Sequence, residues 1–204
     1  MQPSFKGCII LILMTQEEEQ LLIKEAKTNN ESFVRLYDYY YPKILGYCFR
    51  RTLDLNLAKD LTSETFLKAF NGIGKYQWRG IPFSAWLFRI ASNEMNMLNR
   101  KRKYNPDSLA SLKESGVFDI ADKASLIEEK NELEKQLQQS KDFINIQQKL
   151  LLLPHKYQEV IALKYFEEKS IKEIAEILEI KEGTIKSLLS RGVEKLKYLV
   201  LNAT

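Results

Sequence analysis

The chain has 204 residues, of which 45% are hydrophobic, enough to build one larger or two small domains with buried cores. Basic residues exceed acidic ones by only 31 to 27, so the net charge of +4 does not identify a partner until the charges are located. With two distant cysteines, Cys8 and Cys48, and the single histidine His155, the sequence lacks the ligands for a typical metal site. We expect no metal and no cofactor, a buried Cys48, and an exposed His155 at a helix start.

The N-terminal run "GCIILILM", residues 7–14, is apolar but much shorter than the roughly 20 residues that span a bilayer. Three glutamates follow it and no small-residue cleavage site does, which argues against a secretion signal. We predict that residues 1–14 are an extension that is disordered or not native, with Met14 as the functional start. The expected location is the cytoplasm, without direct membrane insertion.

Residues 15–103 show helical periodicity with few breakers, which predicts an all-helical domain. Within "LNLAKDLTSETFLKAFNGI", residues 55–73, one face is expected in the core, and a second apolar patch surrounds two carboxylates. Such a helix lies between other helices or docks on another protein, and the pattern alone leaves both open. The predicted core face is Ala58, Phe66, Ala69, Phe70 and Ile73, and the far side is Leu57, Leu61 and Leu67 around Asp60 and Glu64.

The segment 74–103 combines aromatic rings with seven basic residues against the single acidic Glu94. Rings and cations together suit single-stranded nucleic acid, because bases stack on the rings while cations follow the phosphates. Trp86 has a helical context and is expected in the core. Tyr76 and Trp78 lie between two glycines, where a packed helix is not expected, so we predict that they are available for binding.

Residues 104–140 lose the apolar periodicity and are predicted to form a linker, whereas residues 141–204 return to helices. No alternating strand pattern occurs. The predicted fold is all-α, with two small helical domains joined by a flexible linker, and the second domain contains a helix-turn-helix.

That helix-turn-helix is predicted in "SIKEIAEILEIKEGTIKSLLSR", residues 170–191. Ser170 and Glu173 form a capping box that fixes the start of the first helix. The second helix has its own apolar stripe and turns hydroxyls and cations outward, which suits the acceptors and phosphates of the DNA major groove. A plain solvated helical hairpin is the alternative that the pattern leaves open.

Three ordered motifs, "AKDLTSETFLKAF", "GIPFSAWLFRIASNEMNMLNRKRK" and "LPHKYQEVIALKYFEEKSIKEIAEILEIKEGTIKSLLSRGVEKLK", give the chain its resemblance to a known family. In this order and spacing it resembles bacterial RNA polymerase sigma factors of the extracytoplasmic-function (ECF) group. The resemblance implies a region 2 at residues 15–103 and a region 4 at residues 141–204. It also implies three partners: core RNA polymerase through its β′ and β subunits, promoter DNA, and an anti-sigma factor.

The resemblance further implies the roles of individual residues. Asp60, Leu61, Glu64 and Leu67 would dock on the coiled coil of the polymerase β′ subunit. The minus-ten element would be opened and held by Tyr76, Trp78, Arg79, Arg89, Asn93, Asn96 and Arg100. The minus-thirty-five element would be read by Thr184, Lys186, Ser187, Ser190, Arg191 and Lys195.

Five positions depart from the usual family pattern. Ser63 replaces a common glutamine, Leu188 a frequent arginine and Gly192 a frequent alanine. At the bend between the last two helices, Glu179 and Lys181 stand where glycine and a capping serine are usual, so the turn lacks its favoured residue for positive φ and its N-cap.

Two other function classes compete with the sigma factor. An autonomous helix-turn-helix regulator would bind duplex DNA without polymerase, with residues 15–103 as a sensor or dimer module. An enzyme is disfavoured because the sequence has no phosphate-cradling glycine loop, no nucleophile paired with a base and no clustered metal ligands, and no small-molecule substrate is expected.

Overall fold

The computed structural model describes residues 14–78, 80–104 and 141–202. Eight α-helices occur in these ranges, and no β-strand does, so the predicted all-α class is confirmed. The predicted extension and linker lie almost wholly outside the described residues. The helices are α1 (Gln16–Ala26), α2 (Asn30–Thr52), α3 (Leu55–Gly72), α4 (Phe83–Tyr104), α5 (Lys141–Leu151), α6 (His155–Ile161), α7 (Ile171–Leu178) and α8 (Glu182–Leu201).

Side-chain caps fix where several helices begin. Ser170 accepts a hydrogen bond from the backbone N–H of Glu173, whose carboxylate accepts one from the N–H of Ser170, so the predicted capping box is confirmed. Thr15 and Glu18 form the same arrangement at α1. These bonds satisfy backbone donors that a helix leaves free at its first turn.

The N-terminal unit, α1 to α4, is built around α2. This helix packs against α1 and α3, and α3 packs in turn against α4. Leu36, Ile44 and Tyr47 are completely buried, and the Tyr47 hydroxyl lies 2.8 Å from the Ser92 hydroxyl. Cys48 is buried as predicted, and burial raises the pKa of its thiol to about 12.

The C-terminal unit, α5 to α8, places α8 against α6, with α7 crossing α8. A π-helical turn, Ala162–Phe166, continues α6. Ile174, Ile177 and Ile185 fill the space between α7 and α8, so the two predicted apolar stripes do pack together. Gly192 of α8 sits so close to α6 that a Cβ there would lie 3.2 Å from Cβ of Tyr157.

The two units are in direct contact. Helix α4 packs against α7, and α2 packs against the π-helical turn. This arrangement positions the first residues of the helix-turn-helix over the N-terminal unit. In the described part of the chain, no helix has the length and apolar character required to cross a membrane.

Candidate polymerase and DNA-binding surfaces

Helix α3 presents a mixed acidic and apolar surface. Asp60 is exposed, Leu67 is 55% exposed, and Glu64 pairs with Lys68 at 3.2 Å. Lys68 also pairs with Glu94 of α4 at 2.6 Å, which ties this surface to the neighbouring helix. Three of the four residues predicted to dock on polymerase therefore lie at or near the surface of one helix.

The predicted core face of α3 was wrong at Phe70, which is 42% exposed. Leu61, on the far-side patch, is only 7% exposed, which fits the alternative that this patch lies between helices. Leu61 is buried because α3 packs against both α2 and α4, so its buried arc is wider than one stripe. Phe70 contacts the Phe33 ring in a T-shaped arrangement, with 5.0 Å between the ring centroids.

A cleft of about 180 Å³ opens beside the loop that precedes α4, called here the aromatic loop (residues 75–78 and 80–82). The loop, the first turns of α4 and Glu176 of α7 line it. The centroid of the Tyr76 ring lies 4.7 Å from that of Trp86 and 5.2 Å from that of Phe83. Tyr76 therefore packs against both rings, and its side chain is half-buried. Trp78 is also half-buried, and Arg79 lies outside the described residues. Trp86, predicted as core, instead lines the cleft and is only partly buried.

The remaining minus-ten candidates lie along α4, but not all of them face solvent. Asn93 and Arg100 are exposed, and Arg100 donates a hydrogen bond from Nε to the backbone oxygen of Asn96 at 3.3 Å. Asn96 donates to the buried carboxylate of Glu159 in α6 at 3.2 Å. Burial raises the pKa of Glu159.

Arg89 is the most heavily engaged of these candidates. Its guanidinium donates to the backbone oxygen of Glu176 and lies 3.7 Å from the Glu176 carboxylate and 3.0 Å from the Glu179 carboxylate. Glu176 also lines the aromatic cleft. A residue predicted to hold a DNA strand is thus paired with carboxylates of the helix-turn-helix.

Further polar contacts join the two units beside Arg89. Arg50 of α2 forms an ion pair with Glu167, just after the π-helical turn. Lys169 donates to the Ser84 hydroxyl at 2.9 Å, and its ammonium lies 5.3 Å from the centre of the Phe88 ring. Burial raises the pKa of Glu167 and lowers the pKa of Lys169, so both charged forms are held at some cost.

Sequence reasoning missed these contacts between the units. Periodicity indicates which helix face is buried but not what covers it. The available signal was charge: a basic segment at residues 75–103 and the three glutamates 173, 176 and 179 on the helix that packs against it.

Helix α8 keeps its polar face open. Thr184, Lys186, Ser190, Arg191 and Lys195 are exposed, and Ser187 is half-buried, while Ile185 and Leu189 are buried against the unit. As expected from the sequence, Lys181 provides no side-chain cap for this helix. Glu179 ends α7 in the left-handed region, with φ 57° and ψ 39°, where glycine is ordinarily favoured.

Comparison with known proteins connects both units to one family. Residues 36–104 match the family model for Sigma-70 region 2, and residues 143–196 match the model for Sigma-70, region 4. The chain is 35% identical over 177 residues to the ECF RNA polymerase sigma factor SigW of Bacillus subtilis (strain 168), covering 86% of this chain and 92% of that protein. It is 32% identical over 170 residues to the RNA polymerase sigma factor YlaC of the same organism, and the match covers 83% of this chain and 92% of that protein.

The fold also matches a solved structure. The sigma factor RpoE, crystallised with the anti-sigma factor NepR from Bartonella quintana, aligns with a TM-score of 0.62 at 24% identity. The alignment covers 85% of this chain and 99% of that one. The shared fold includes helices from both units.

Proposed function

The chain belongs to the ECF group of RNA polymerase sigma factors, and from this membership we propose which of its surfaces perform each part of transcription initiation. The observation that carries the proposal is that one chain has two chemically different surfaces suited to DNA. One is a ring-lined cleft beside cations, and the other is the exposed polar face of a helix. The proposed boundaries are residues 15–103 for region 2, 104–140 for the linker and 141–204 for region 4.

Region 2 would bind core RNA polymerase through α3. Asp60 and Glu64 provide carboxylates, and the exposed side chain of Leu67 provides apolar area beside them. Charged groups around an apolar centre give an interface both affinity and orientation. Leu61 would act from the core by holding α3 in place, since it has little exposed surface of its own.

The cleft beside the aromatic loop would hold bases of the opened minus-ten element. Tyr76 and Trp86 line the cleft, and the half-buried Trp78 lies beside it on the same loop. Stacking an unpaired base on an aromatic side chain stabilises it by about 1–3 kcal/mol. A site that accepts only unpaired bases shifts the equilibrium towards open DNA, because unpairing is offset by stacking in the cleft. Arg89, Asn93, Asn96 and Arg100 would follow the strand along α4.

Helix α8 would read the minus-thirty-five element as intact duplex. Its exposed hydroxyls and cations match base-edge acceptors and flanking phosphates, and α7 braces it through the isoleucine contacts. The side chains assigned to this role are Thr184, Lys186, Ser187, Ser190, Arg191 and Lys195.

Three further assignments rest on the family. The matched relatives are transcription initiation factors rather than enzymes, and we assign no catalytic residue. Since bacterial transcription occurs in the cytoplasm, we expect the factor there. One structural neighbour was crystallised with an anti-sigma factor, and we expect such a partner for this chain as well.

The docking surface is tested with the double variant Asp60→Ala and Glu64→Ala. We expect it to lose binding to core enzyme and transcription from its promoters while its helical content stays unchanged. The matched control is Glu17→Ala with Glu31→Ala, which removes two exposed carboxylates from α1 and the start of α2. Equal core binding by the two double variants would contradict α3 as the docking surface.

Promoter recognition is tested by transcribing a genomic library in vitro with core enzyme plus the purified chain. We expect a small set of transcripts that core enzyme alone does not make, with a shared upstream sequence. Transcripts indistinguishable from those of core alone would contradict the proposed function.

A further inference from the structure

The contacts of Arg89 bring together surfaces that the proposed function assigns to different DNA elements. Arg89 lies on the face of α4 assigned to the minus-ten strand, yet its guanidinium pairs with Glu176 and Glu179. Carboxylates present oxygens to a guanidinium in the way that phosphates do. The two glutamates therefore occupy the position of a DNA backbone relative to Arg89.

Glu179 is one of three non-glycine residues with positive φ in the described ranges, together with Leu53 and Glu168. A non-glycine residue at φ 57° is disfavoured, by about 1 kcal/mol relative to glycine. Glu179 holds this conformation at the corner of the helix-turn-helix while its carboxylate lies 3.0 Å from Arg89 Nη1. The ion pair gives a physical reason for a glutamate at a corner where glycine would fold more easily.

The same contact places a carboxylate at the aromatic cleft. Glu176 lines the cleft together with Tyr76, Trp86 and Arg89. An anionic strand in the cleft would lie near the Glu176 carboxylate, and like charges repel. The closed arrangement therefore disfavours strand binding by occupying Arg89 and by repelling phosphates.

The two units share apolar packing, and polar contacts between them add to it. These are Arg50 with Glu167, Lys169 with Ser84, and Asn96 with Glu159. The buried Nε atoms of Arg50 and Arg89 lack a hydrogen-bond acceptor among the described residues. Unmet hydrogen bonds and desolvated charges weaken an interface relative to an apolar one of the same shape.

We propose that Glu176 and Glu179 act as an internal substitute for DNA phosphates, holding the free factor in a closed form that masks Arg89 and the aromatic cleft. The partner of this surface in the open form is single-stranded DNA. The proposal rests on the strand-binding role of α4 given above. It explains how a site made of rings and cations avoids engaging nucleic acid before the two units are drawn apart.

The test compares two double variants of the full chain that lose the same charge. Glu176→Gln with Glu179→Gln removes the carboxylates that face Arg89, and Glu182→Gln with Glu194→Gln removes two exposed carboxylates of α8. Binding of a fluorescently labelled 20-nucleotide single strand of mixed sequence is followed by anisotropy at low salt. Any general gain from reduced negative charge appears in both variants.

We expect the Glu176 and Glu179 variant to bind the strand about two- to tenfold more tightly than the control, the range for breaking two partly exposed ion pairs. Small-angle X-ray scattering should give it a larger radius of gyration. The single variant Glu179→Gly should act in the same direction even though glycine relaxes the corner, which separates loss of the carboxylate from damage to the fold.

Equal strand affinity of the two double variants would overturn the masking proposal. An expanded variant that binds the strand no more tightly than the control would overturn it as well, because opening would then leave Arg89 without effect. Transcription with core enzyme is measured separately. If the unaltered chain directs no transcription, the proposed function is contradicted. If the two double variants have equal strand affinity, only the masking is contradicted.

Discussion

The face of α8 assigned to duplex DNA is open, whereas the face of α4 assigned to single-stranded DNA is partly covered by the chain's own C-terminal unit, at Arg89 and Asn96. Thr184, Lys186 and Arg191 are exposed, while Arg89 and Asn96 are bonded to glutamates. The difference follows from what each face could bind alone. A short polar helix gains little from DNA by itself, whereas stacked rings bind any unpaired strand.

Charge is used in opposite ways on the two faces. On α8 the cations point into solvent, where they can meet a duplex without displacing anything. On α4 the guanidinium of Arg89 must leave two carboxylates before it meets a phosphate, so part of the binding energy is spent on opening. The sequence shows cations in both segments but does not show that a cation of α4 is paired with carboxylates.

The largest expected effect is a loss of stability when the buried ring beneath the covered face of α4 is removed. Phe88 is 1% exposed, packs edge-on against Tyr47 at 5.1 Å, and lies beneath the ammonium of Lys169. Phe88→Ala should lower the free energy of unfolding by about 3–5 kcal/mol, because it leaves a cavity at the junction of the units. The measurement is denaturant unfolding followed by circular dichroism.

Phe70→Ala provides the control for that experiment. Phe70 has the same side chain but is 42% exposed, so its loss should cost much less. If the two variants were equally stable, Phe88 would not support the junction as the structure indicates.

A second experiment tests the exposed face of α8. Arg191→Ala should weaken promoter use by about 1–3 kcal/mol if the guanidinium reads a base edge, because the lost bidentate contact has no substitute. Run-off transcription across a set of single-base promoter variants measures both strength and preference. Lys172→Ala, an exposed cation on α7, is the matched control. Unchanged preference after loss of Arg191 would remove this residue from the proposed site.

A third experiment asks how firmly α8 is held while its outer face stays open. A Cβ at Gly192 would lie 3.1 Å from Cδ1 of Ile161 and 3.2 Å from Cβ of Tyr157, whereas one at Gly183 would meet nothing within 4 Å. Gly183→Ala should therefore stabilise the helix by up to about 1 kcal/mol. Gly192→Ala should forfeit that gain or reverse it, because the close contact offsets the helical preference.

Thermal unfolding of the two alanine variants measures this difference. Equal stabilisation by both would show that α6 moves aside and that Gly192 is not required for the close approach. The frequent alanine of the family at this position would then fit here without cost.

The smallest expected effect is a pH dependence of stability that arises from Glu19, whose carboxylate lies at the start of α4. The buried carboxylate of Glu19 accepts hydrogen bonds from the Tyr40 hydroxyl and, at 3.0 Å, from the Phe83 N–H. Burial raises the pKa of Glu19 above its ordinary value, so the folded chain holds this proton more tightly than the unfolded chain. The stability that Glu19 contributes is thus fully present below pH 4.5 and is lost as the pH rises through the folded pKa.

Glu19→Gln keeps the acceptor oxygen and removes the titration. We expect the stability of this variant relative to the unaltered chain to increase as the pH is raised from about 4.5 towards neutrality, measured as denaturant midpoints. Glu17→Gln, which removes an exposed carboxylate from the same helix, is the control. A constant difference between the Glu19 variant and the unaltered chain would contradict this account.

Much of the fold could be predicted because it is encoded locally. The capping box at Ser170, the stripe through Ile185 and Leu189, and the buried Cys48 each follow from a few neighbouring residues. The missing cap at Lys181 was equally readable. Local signals of this kind need no knowledge of what lies across the interface.

What the sequence did not predict depends on which helices meet. Leu61 is buried because α3 has neighbours on two sides, and Trp86 lines a cleft together with Tyr76 of the loop before α4. The pairing of Arg89 with Glu179 joins positions 90 residues apart in the chain. Hydrophobic periodicity carries no information about a contact between two distant helices, and the complementary charge of their residues only permits it.

The inaccessible thiol of Cys48 has a practical consequence. Alkylating reagents attack the thiolate, which is scarce at neutral pH when the thiol is buried and its pKa is about 12. In a chain whose Cys8 has been replaced by serine, a new cysteine placed on the solvent side of either unit would be the residue that takes up a dye. A pair of such dyes would report the separation of the units while polymerase and promoter are added.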